Sequence, residues 1–278
     1  MNDDFKNLLK LLDDDNEQLA GIAMAELIRR SDSRLERVLR TLQESPNQKL
    51  RKRIHQIQSA IVSRRRRQLL AKEFAAGSLS LEDAMLHLHL MWFDNDTLEE
   101  ITEQWNGFVK SLGAWGKPDS LKRMLIRLRK TIQFYTTPGD PENPEALCIG
   151  TILEENTATD FMGCIVARLA GKHWGFESEI ITSHNEFYLL HEGAVLDPRR
   201  EWRPLTGEDL REKVFRRWSD QELINLLSYS LFTDAVATDC FRYVHTLGCC
   251  IGKRQDLNFL PYPYGNDIFK DGSSPEEK

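Results

Sequence analysis

Apolar residues in the first quarter of the chain recur at helical spacing, and short polar stretches interrupt them. The predicted breaks are Asp13–Asn16 and Ser45–Asn47, where each asparagine can cap the helix that follows. Two asparagine-led helices at this offset are typical of HEAT-type helix pairs, and a plain helical bundle has the same pattern. We therefore predict an all-helical, HEAT-like region over residues 1–76.

Three more helices are predicted between Leu79 and Tyr135, after the small residues Ala76-Gly77-Ser78 that mark a domain boundary. Their apolar stripes begin at Leu81, Leu98 and Leu121. The polar groups Asp94–Asp96 and Pro118–Ser120 are expected to open the second and third of them.

The hydrophobic pattern changes character between Asn156 and Pro198. A predicted helix, Asn156–Gly171, is followed by shorter segments with the alternation of half-buried strands. A turn at His191–Gly193 joins the last two strands into a hairpin. Helices and neighbouring antiparallel strands predict an α+β fold, and further helices are expected over Glu208–Val214 and Asp220–Gly248.

A helix followed by strands that carry a histidine and an aspartate resembles the transglutaminase-like superfamily and, within it, the SirB-type family. The matching segments are Asn156-Thr157-Ala158, His173–Phe176, His184–Phe187 and Leu196-Asp197-Pro198. The resemblance covers about residues 79–200 and extends more loosely to 265. It implies a transglutaminase-like (papain-like) core with helical N- and C-terminal parts over residues 77–265.

In that family a cysteine at the start of the core helix is the nucleophile, a histidine polarises it and an aspartate orients the histidine. The resemblance places Ala158 at the nucleophile position and Asp197 at the third position. Ungapped counting places His184 at the second, whereas matching on the aromatic residue places Glu186 there. Because a methyl group cannot attack a substrate, we predict that the chain is not an enzyme.

Other residues near this position leave a catalytic alternative open. Thr157 and Thr159 flank Ala158, and Cys148 and Cys164 lie on either side of it in the sequence. A hydrolase or acyltransferase with an atypical nucleophile would use one of them. Helix caps and core packing are the simpler roles for the threonines and the cysteines.

Charge and cysteine content narrow the function classes. The 278-residue chain has a net charge of −6, which argues against a dedicated nucleic-acid-binding protein. Its five cysteines, including adjacent Cys249 and Cys250, lack Cys-x-x-Cys spacing and are interpreted as reduced thiols. No histidine spacing indicates a metal site, and no cofactor is predicted.

The absence of a signal peptide and of a long apolar run predicts a cytoplasmic protein that does not enter membranes.

The predicted function is that of a binding or regulatory module. A basic stretch, Arg64–Arg67, is interpreted as a solvated or salt-bridged helix face rather than a nucleic-acid site. The helical region is then the expected docking surface for a protein partner. A helical-repeat adaptor with the α+β core as scaffold is a second alternative, and the polar residues 266–278 are predicted to be disordered.

Overall fold

The computed structural model describes residues 3–30, 33–93, 95–135, 144–211, 213–240, 243–244 and 247–248. The predictions for Cys249 and Cys250 and for the tail 266–278 lie outside these residues. The described chain combines helices with an antiparallel sheet, so the predicted α+β class is confirmed. Its contacts divide it into two compact units, Met1–Leu70 and Ala71–Lys278.

The first unit contains helices only, among the residues described. Its four helices are α1 (Asp3–Leu11), α2 (Glu17–Arg30), α3 (Ser33–Leu42) and α4 (Gln48–Ala76). Helix α4 continues six residues past the end of the first unit at Leu70. Their apolar faces meet in one core made of Leu12, Ala23, Leu27, Leu35, Leu39, Ile54, Ile57 and Ile61. This unit therefore has a core of its own.

Side chains in the polar breaks fix how the chain enters these helices. The Oδ1 atoms of Asn16 and Asn47 each accept two backbone N–H groups from the first turn of α2 and α4. The guanidinium of Arg53, buried beside this corner, donates to the carbonyl oxygens of Leu12 (2.6 Å) and Asp14 (2.8 Å). Both predicted asparagine caps are thus confirmed.

The second unit begins with helices and closes with helices. They are α5 (Leu81–Trp92), α6 (Leu98–Ser111), α7 (Leu121–Thr131), α8 (Ile149–Glu155), α9 (Asp160–His173), α10 (Gly207–Arg211) and α11 (Asp220–Ala237). Hydroxyl side chains of Ser80, Thr97, Ser120, Thr159 and Ser219 cap five of them. The cap of α6 is thus Thr97, so the expectation that Asp94–Asp96 would open this helix is wrong.

A five-stranded antiparallel sheet packs against α9. The strands are β3 (Glu179–Ser183), β4 (Glu186–His191), β5 (Ala194–Asp197), β6 (Arg203–Pro204) and β7 (Arg216–Arg217), in the spatial order β6-β5-β4-β3-β7. Two earlier strands, β1 (Gln133–Tyr135) and β2 (Thr157–Thr159), form a separate parallel pair. Both edges of the large sheet are strands of only two residues.

The central helix is shifted from its predicted position. It runs from Asp160 to His173 instead of from Asn156 to Gly171, because Asn156 ends α8 in a left-handed conformation (φ 54°) and β2 follows. Gly171 lies inside α9, where the Leu121 and Phe176 side chains pack against its missing Cβ position, and does not cap the helix. The left-handed residue that follows the helix end is Gly175 (φ 86°).

The later helices are shorter than predicted. Helix α10 ends at Arg211, and α11 ends at Ala237, followed by Asp239 in a left-handed conformation (φ 55°). A left-handed non-glycine residue interrupts the helical hydrogen-bond ladder, which the apolar pattern alone does not reveal. Among the described residues, no helix combines the length and the apolar character needed to cross a membrane.

Candidate functional site

Ala158, the predicted nucleophile position, lies in strand β2 and not on the central helix. It pairs with Phe134 of β1, two residues before α9 begins, and its side chain is 0% exposed. The first turn of α9 instead carries Asp160, whose carboxylate accepts the N–H of Phe161 at 2.8 Å and of Phe187 at 3.5 Å. A carboxylate therefore occupies the favourable end of the helix dipole.

The side chain of β4 that faces the start of α9 is aromatic. The ring of Phe187 packs against that of Phe161 with centroids 4.7 Å apart. Because side chains alternate along a strand, Glu186 and Tyr188 point to the opposite face. Tyr188 packs there in a small apolar cluster with Ile181, Val195 and Leu205. To reach a nucleophile on α9, a general base would have to occupy the position of Phe187. A phenylalanine side chain has no atom that can accept a proton.

His184 lies at the exposed tip of the hairpin between β3 and β4. Ser183 pairs with Glu186, which leaves His184 and Asn185 as the two residues of the turn, with φ of 51° and 63°. Left-handed conformations at both positions define a type I′ turn, which matches the twist of the strands. Within the described residues the ring of His184 hydrogen-bonds the Ser183 hydroxyl, 3.1 Å from Nδ1, and the expected pairing with Asp197 is not formed.

Asp197 is paired with an arginine. It is 2% exposed, and its Oδ1 accepts the backbone N–H of Arg199 at 2.9 Å and the Nε of the same residue at 3.1 Å. The guanidinium also pairs with the carboxylate of Glu186 and lies 3.1 Å from the Tyr188 hydroxyl. Arg199 therefore forms ion pairs with both carboxylates that the resemblance associates with catalysis.

Lys213 completes this cluster from the loop after α10. Its Nζ lies 2.9 Å from Glu186 Oε2 and 2.6 Å from the Tyr188 hydroxyl, and the ammonium sits 4.9 Å from the centre of the tyrosine ring. We call Glu186, Tyr188, Asp197, Arg199 and Lys213 the ion-pair cluster. A cleft of about 340 Å³ opens above it.

Charge pairing shifts the pKa values of Glu186, Arg199 and Lys213 in the direction that keeps each group ionised. Hydrogen bonding to Arg199 holds the pKa of Glu186 far below its usual range, and the same bond raises that of Arg199. Hydrogen bonding to Tyr188 and Glu186 raises the pKa of Lys213 despite desolvation. Glu186, Arg199 and Lys213 therefore keep their charges near neutral pH.

The other candidate nucleophiles are buried or engaged. Burial raises the pKa of the Cys148 thiol and that of the Cys164 thiol, so neither forms a thiolate readily. Thr159 Oγ1 caps α9 by accepting the N–H of Met162 at 3.2 Å, as predicted for one of the threonines. Thr157 Oγ1 lies 3.4 Å from Glu155 Oε2.

Histidine and carboxylate side chains of the described residues do not gather into a metal site. No group of three potential ligands converges within the part of the chain that the structure describes. His87 and His89 point to different partners: His87 Nε2 lies 3.6 Å from Glu73, and His89 Nε2 lies 2.9 Å from Asp96. Burial lowers the pKa of His89, which favours its neutral ring.

The sequence argument missed Arg199, Lys213 and Tyr188. A signal for the first was present, because the SirB-type family ends this segment with Asp-Pro-Phe and this chain has Asp197-Pro198-Arg199. An arginine two residues after an aspartate can fold back onto it, as Arg199 does. Lys213 comes from a distant loop, which no local pattern indicates.

No protein family model, curated protein or solved structure matches this chain. The transglutaminase-like resemblance therefore stays a prediction. The arrangement of α9, the sheet and the ion-pair cluster is what bears on function.

Proposed function

We propose that this chain is a catalytically disabled transglutaminase-like protein that acts as a binding or regulatory module. The observation that carries the proposal is at the start of α9, where Ala158 is buried in a strand and Phe187 is the facing side chain. The carboxylates of Glu186 and Asp197 are bound to Arg199 on the other face of the sheet. A helix followed by three antiparallel strands is compatible with the family's core.

Thiol chemistry requires a thiolate within hydrogen-bonding reach of a base, at about 2.6–3.2 Å. Cys148 and Cys164 are buried with raised pKa values, and the pairing of His184 is with Ser183. Removing the nucleophile of such a set costs several orders of magnitude in rate, since the remaining groups cannot form the covalent intermediate. We therefore expect no thiol-dependent peptidase or transglutaminase activity.

The helical unit offers the surface for a protein partner. On α2, Ile22 is 66% exposed and Leu19 is also exposed, three residues before it on the same face. Exposed apolar side chains next to one another on a helix are a common feature of protein-binding surfaces. Two basic residues of α4 contact other helices of the unit: Arg65 pairs with Glu36, and Arg64 donates to the carbonyl of Ile28.

The variant Ala158→Cys tests the loss of the catalytic site. At this buried strand position burial would raise the pKa of the thiol and limit its access to solvent, so we expect it to resist alkylation in the native protein. Iodoacetamide labelling followed by mass spectrometry should find the added thiol unmodified until the chain is denatured.

Val214→Cys is the matched control, because Val214 is 87% exposed and a thiol there should be alkylated at the rate of a free cysteine. Fast native labelling of Ala158→Cys would show that a catalytic environment persists and would contradict this account. Amide hydrolysis by the unmodified chain, abolished by alkylating Cys148 or Cys164, would instead support a hydrolase with an atypical nucleophile.

A further inference from the structure

A groove of about 550 Å³ lies between α7 and the strands β5 and β6. It shares no lining residue with the cleft above the ion-pair cluster. Its walls are mostly apolar, formed by Leu125, Ile126, Ala194, Leu196, Trp202 and Pro204. A volume of this size and an apolar lining with a few polar groups are typical of small-molecule sites, which measure about 300–1,000 Å³.

Charged side chains at the rim leave a surplus of positive charge. Lys122, Arg129 and Arg203 line the groove together with Glu192 and Glu201. Glu201 accepts from both arginines, and its contact with Arg203 Nη2 measures 3.2 Å. Lys122 makes no ion pair or hydrogen bond within the described residues. Three cations against two carboxylates leave one positive charge without a counter-ion.

His191 lies at the same rim and is committed to the backbone. Its Nδ1 donates to the carbonyl oxygen of Glu177 at 2.7 Å, and its Nε2 lies 3.9 Å from Glu192. Because an imidazole carries no negative charge, His191 does not cancel the surplus positive charge at the rim. In a chain with net charge −6, a groove with a cationic rim is a local exception that favours an anionic ligand.

The backbone at the mouth of the groove is held in an unusual conformation. Glu201 and Trp202 are consecutive left-handed residues, with φ of 60° and 61°. A bulky side chain seldom adopts this conformation, which persists where the surroundings determine it. Here the Trp202 N–H donates to the Asp197 carbonyl at 2.8 Å, and the Trp202 side chain is buried. The indole wall of the groove is therefore formed before any ligand arrives.

We propose that this groove binds a small amphipathic carboxylate, with an apolar chain or ring of about eight to twelve carbon atoms. The apolar body packs between Ile126, Leu196 and Trp202. The carboxylate lies at the rim, where Lys122 and the arginine pair held by Glu201 provide donors. A single negative charge matches the single surplus positive charge.

Calorimetric titration of the full chain with decanoate, below its micelle concentration, tests the ligand class. We expect saturable binding of one decanoate per chain. Decanol has the same apolar body without the charge, and decyltrimethylammonium carries the opposite charge. Decanol should bind at least about tenfold more weakly, because a charge-assisted contact is lost, and the ammonium compound should not bind.

Two substitutions on α7 test whether decanoate binds in this groove. Ile126 is 47% exposed, so Ile126→Glu should leave the fold intact and abolish decanoate binding by putting a carboxylate into the apolar wall. Lys122→Glu should weaken binding by about tenfold or more. Arg123→Glu is the matched control, since it makes the same charge change one residue away on a side chain that pairs with Asp119, outside the groove. It should change the affinity less than about twofold.

Equal affinities for decanol and decanoate would overturn the charge assignment, and unchanged binding by Ile126→Glu would overturn the location. Absence of decanoate binding, with binding of an apolar peptide that carries a carboxylate, would replace the small-molecule proposal by a peptide-docking groove. None of these results bears on the loss of catalysis at Ala158, so the two proposals stand or fall separately.

Discussion

Arg199 is the residue on which the ion-pair cluster depends. Its guanidinium is the main partner of the buried Asp197 carboxylate and also pairs with Glu186. Arg199→Ala would remove the main counter-charge of a buried carboxylate, so we expect it to lower the free energy of unfolding by about 3–5 kcal/mol. Urea denaturation monitored by circular dichroism measures this change.

The neighbouring Arg200 provides the control. It approaches the same Asp197 carboxylate at 3.7 Å and pairs with Asp209, but its side chain is more than half exposed. Arg200→Ala should cost less than about 1 kcal/mol. The double variant Arg199→Ala with Asp197→Asn should recover part of the loss, because the unpaired charge is then absent. Equal effects of the two arginine substitutions would show that the cluster is no more than a surface ion pair.

Asp234 is a second residue with a measurable signature. Burial near the end of α11 raises the pKa of its carboxyl group from 3.8 to about 6. The folded state therefore binds a proton more tightly than the unfolded state, so this group stabilises the fold below about pH 4. That stability is lost as the pH rises through about 6. Asp234→Asn should raise the free energy of unfolding at pH 7.5 and leave it nearly unchanged at pH 4.

Glu103→Gln on α6 makes the same charge change at an exposed position and is the control for Asp234→Asn. It should alter stability little at either pH. A gain for Asp234→Asn that is equal at pH 4 and pH 7.5 would contradict the raised pKa of the aspartate.

At the scale of elements, the two hairpins of the sheet make a matched pair. The turn His184–Asn185 lacks glycine, whereas the turn Glu192–Gly193 has it at the second position, with φ of 80°. Because glycine adopts left-handed conformations at little cost, we expect Asn185→Gly to stabilise the protein by about 0.5–1 kcal/mol. Thermal unfolding measures the gain.

The reverse change at the other hairpin is its control. A Cβ at Gly193 would meet no atom within 4 Å, so Gly193→Ala would report the backbone preference alone. It should destabilise by about 1 kcal/mol. Stabilisation by His184→Gly as well would agree with a geometric role for His184, whereas a large loss would reveal a contact of its ring beyond Ser183.

Local patterns predicted some elements well and others poorly. The caps at Asn16, Asn47 and Ser120 and the hairpin after β4 follow from short-range chemistry, and the structure has all of them. The start of α9 does not follow from short-range chemistry, because the strand before it, β2, forms by pairing with β1, more than 20 residues earlier in the chain. Parallel pairing of such short strands leaves no periodicity in the sequence.

The candidate site shows the same limit. Asp197 was placed at the third position of the family's set with His184 as its expected partner, and in the structure its partner is Arg199, two residues further on. Which face of β4 meets α9 depends on register, and a shift of one residue exchanges Glu186 for Phe187. The resemblance did not specify that register, since His184 and Glu186 were both compatible with it.

On the scale of the whole molecule, the first unit should fold without the second. Its buried core residues come from α2, α3 and α4 and from Leu12 just after α1, and partly buried leucines of α1 pack against them. A fragment of residues 1–76 is therefore expected to be helical and to unfold cooperatively. Leu39→Ala, at a fully buried position, should lower its stability by about 2–5 kcal/mol, while Ile22→Ala on the exposed face of α2 should have little effect. A fragment without helical circular dichroism would contradict an independent unit.

The short edge strands β6 and β7 affect how the protein behaves at high concentration. A sheet edge presents unpaired backbone N–H and C=O groups on which a neighbouring chain can add a strand. Here Pro204 has no N–H to offer at one edge, and Arg216 and Arg217 place exposed positive charges along the other. Each edge is too short and too charged to serve as a template for fibril growth. Concentrated solutions of the folded chain should accordingly stay free of edge-to-edge aggregates.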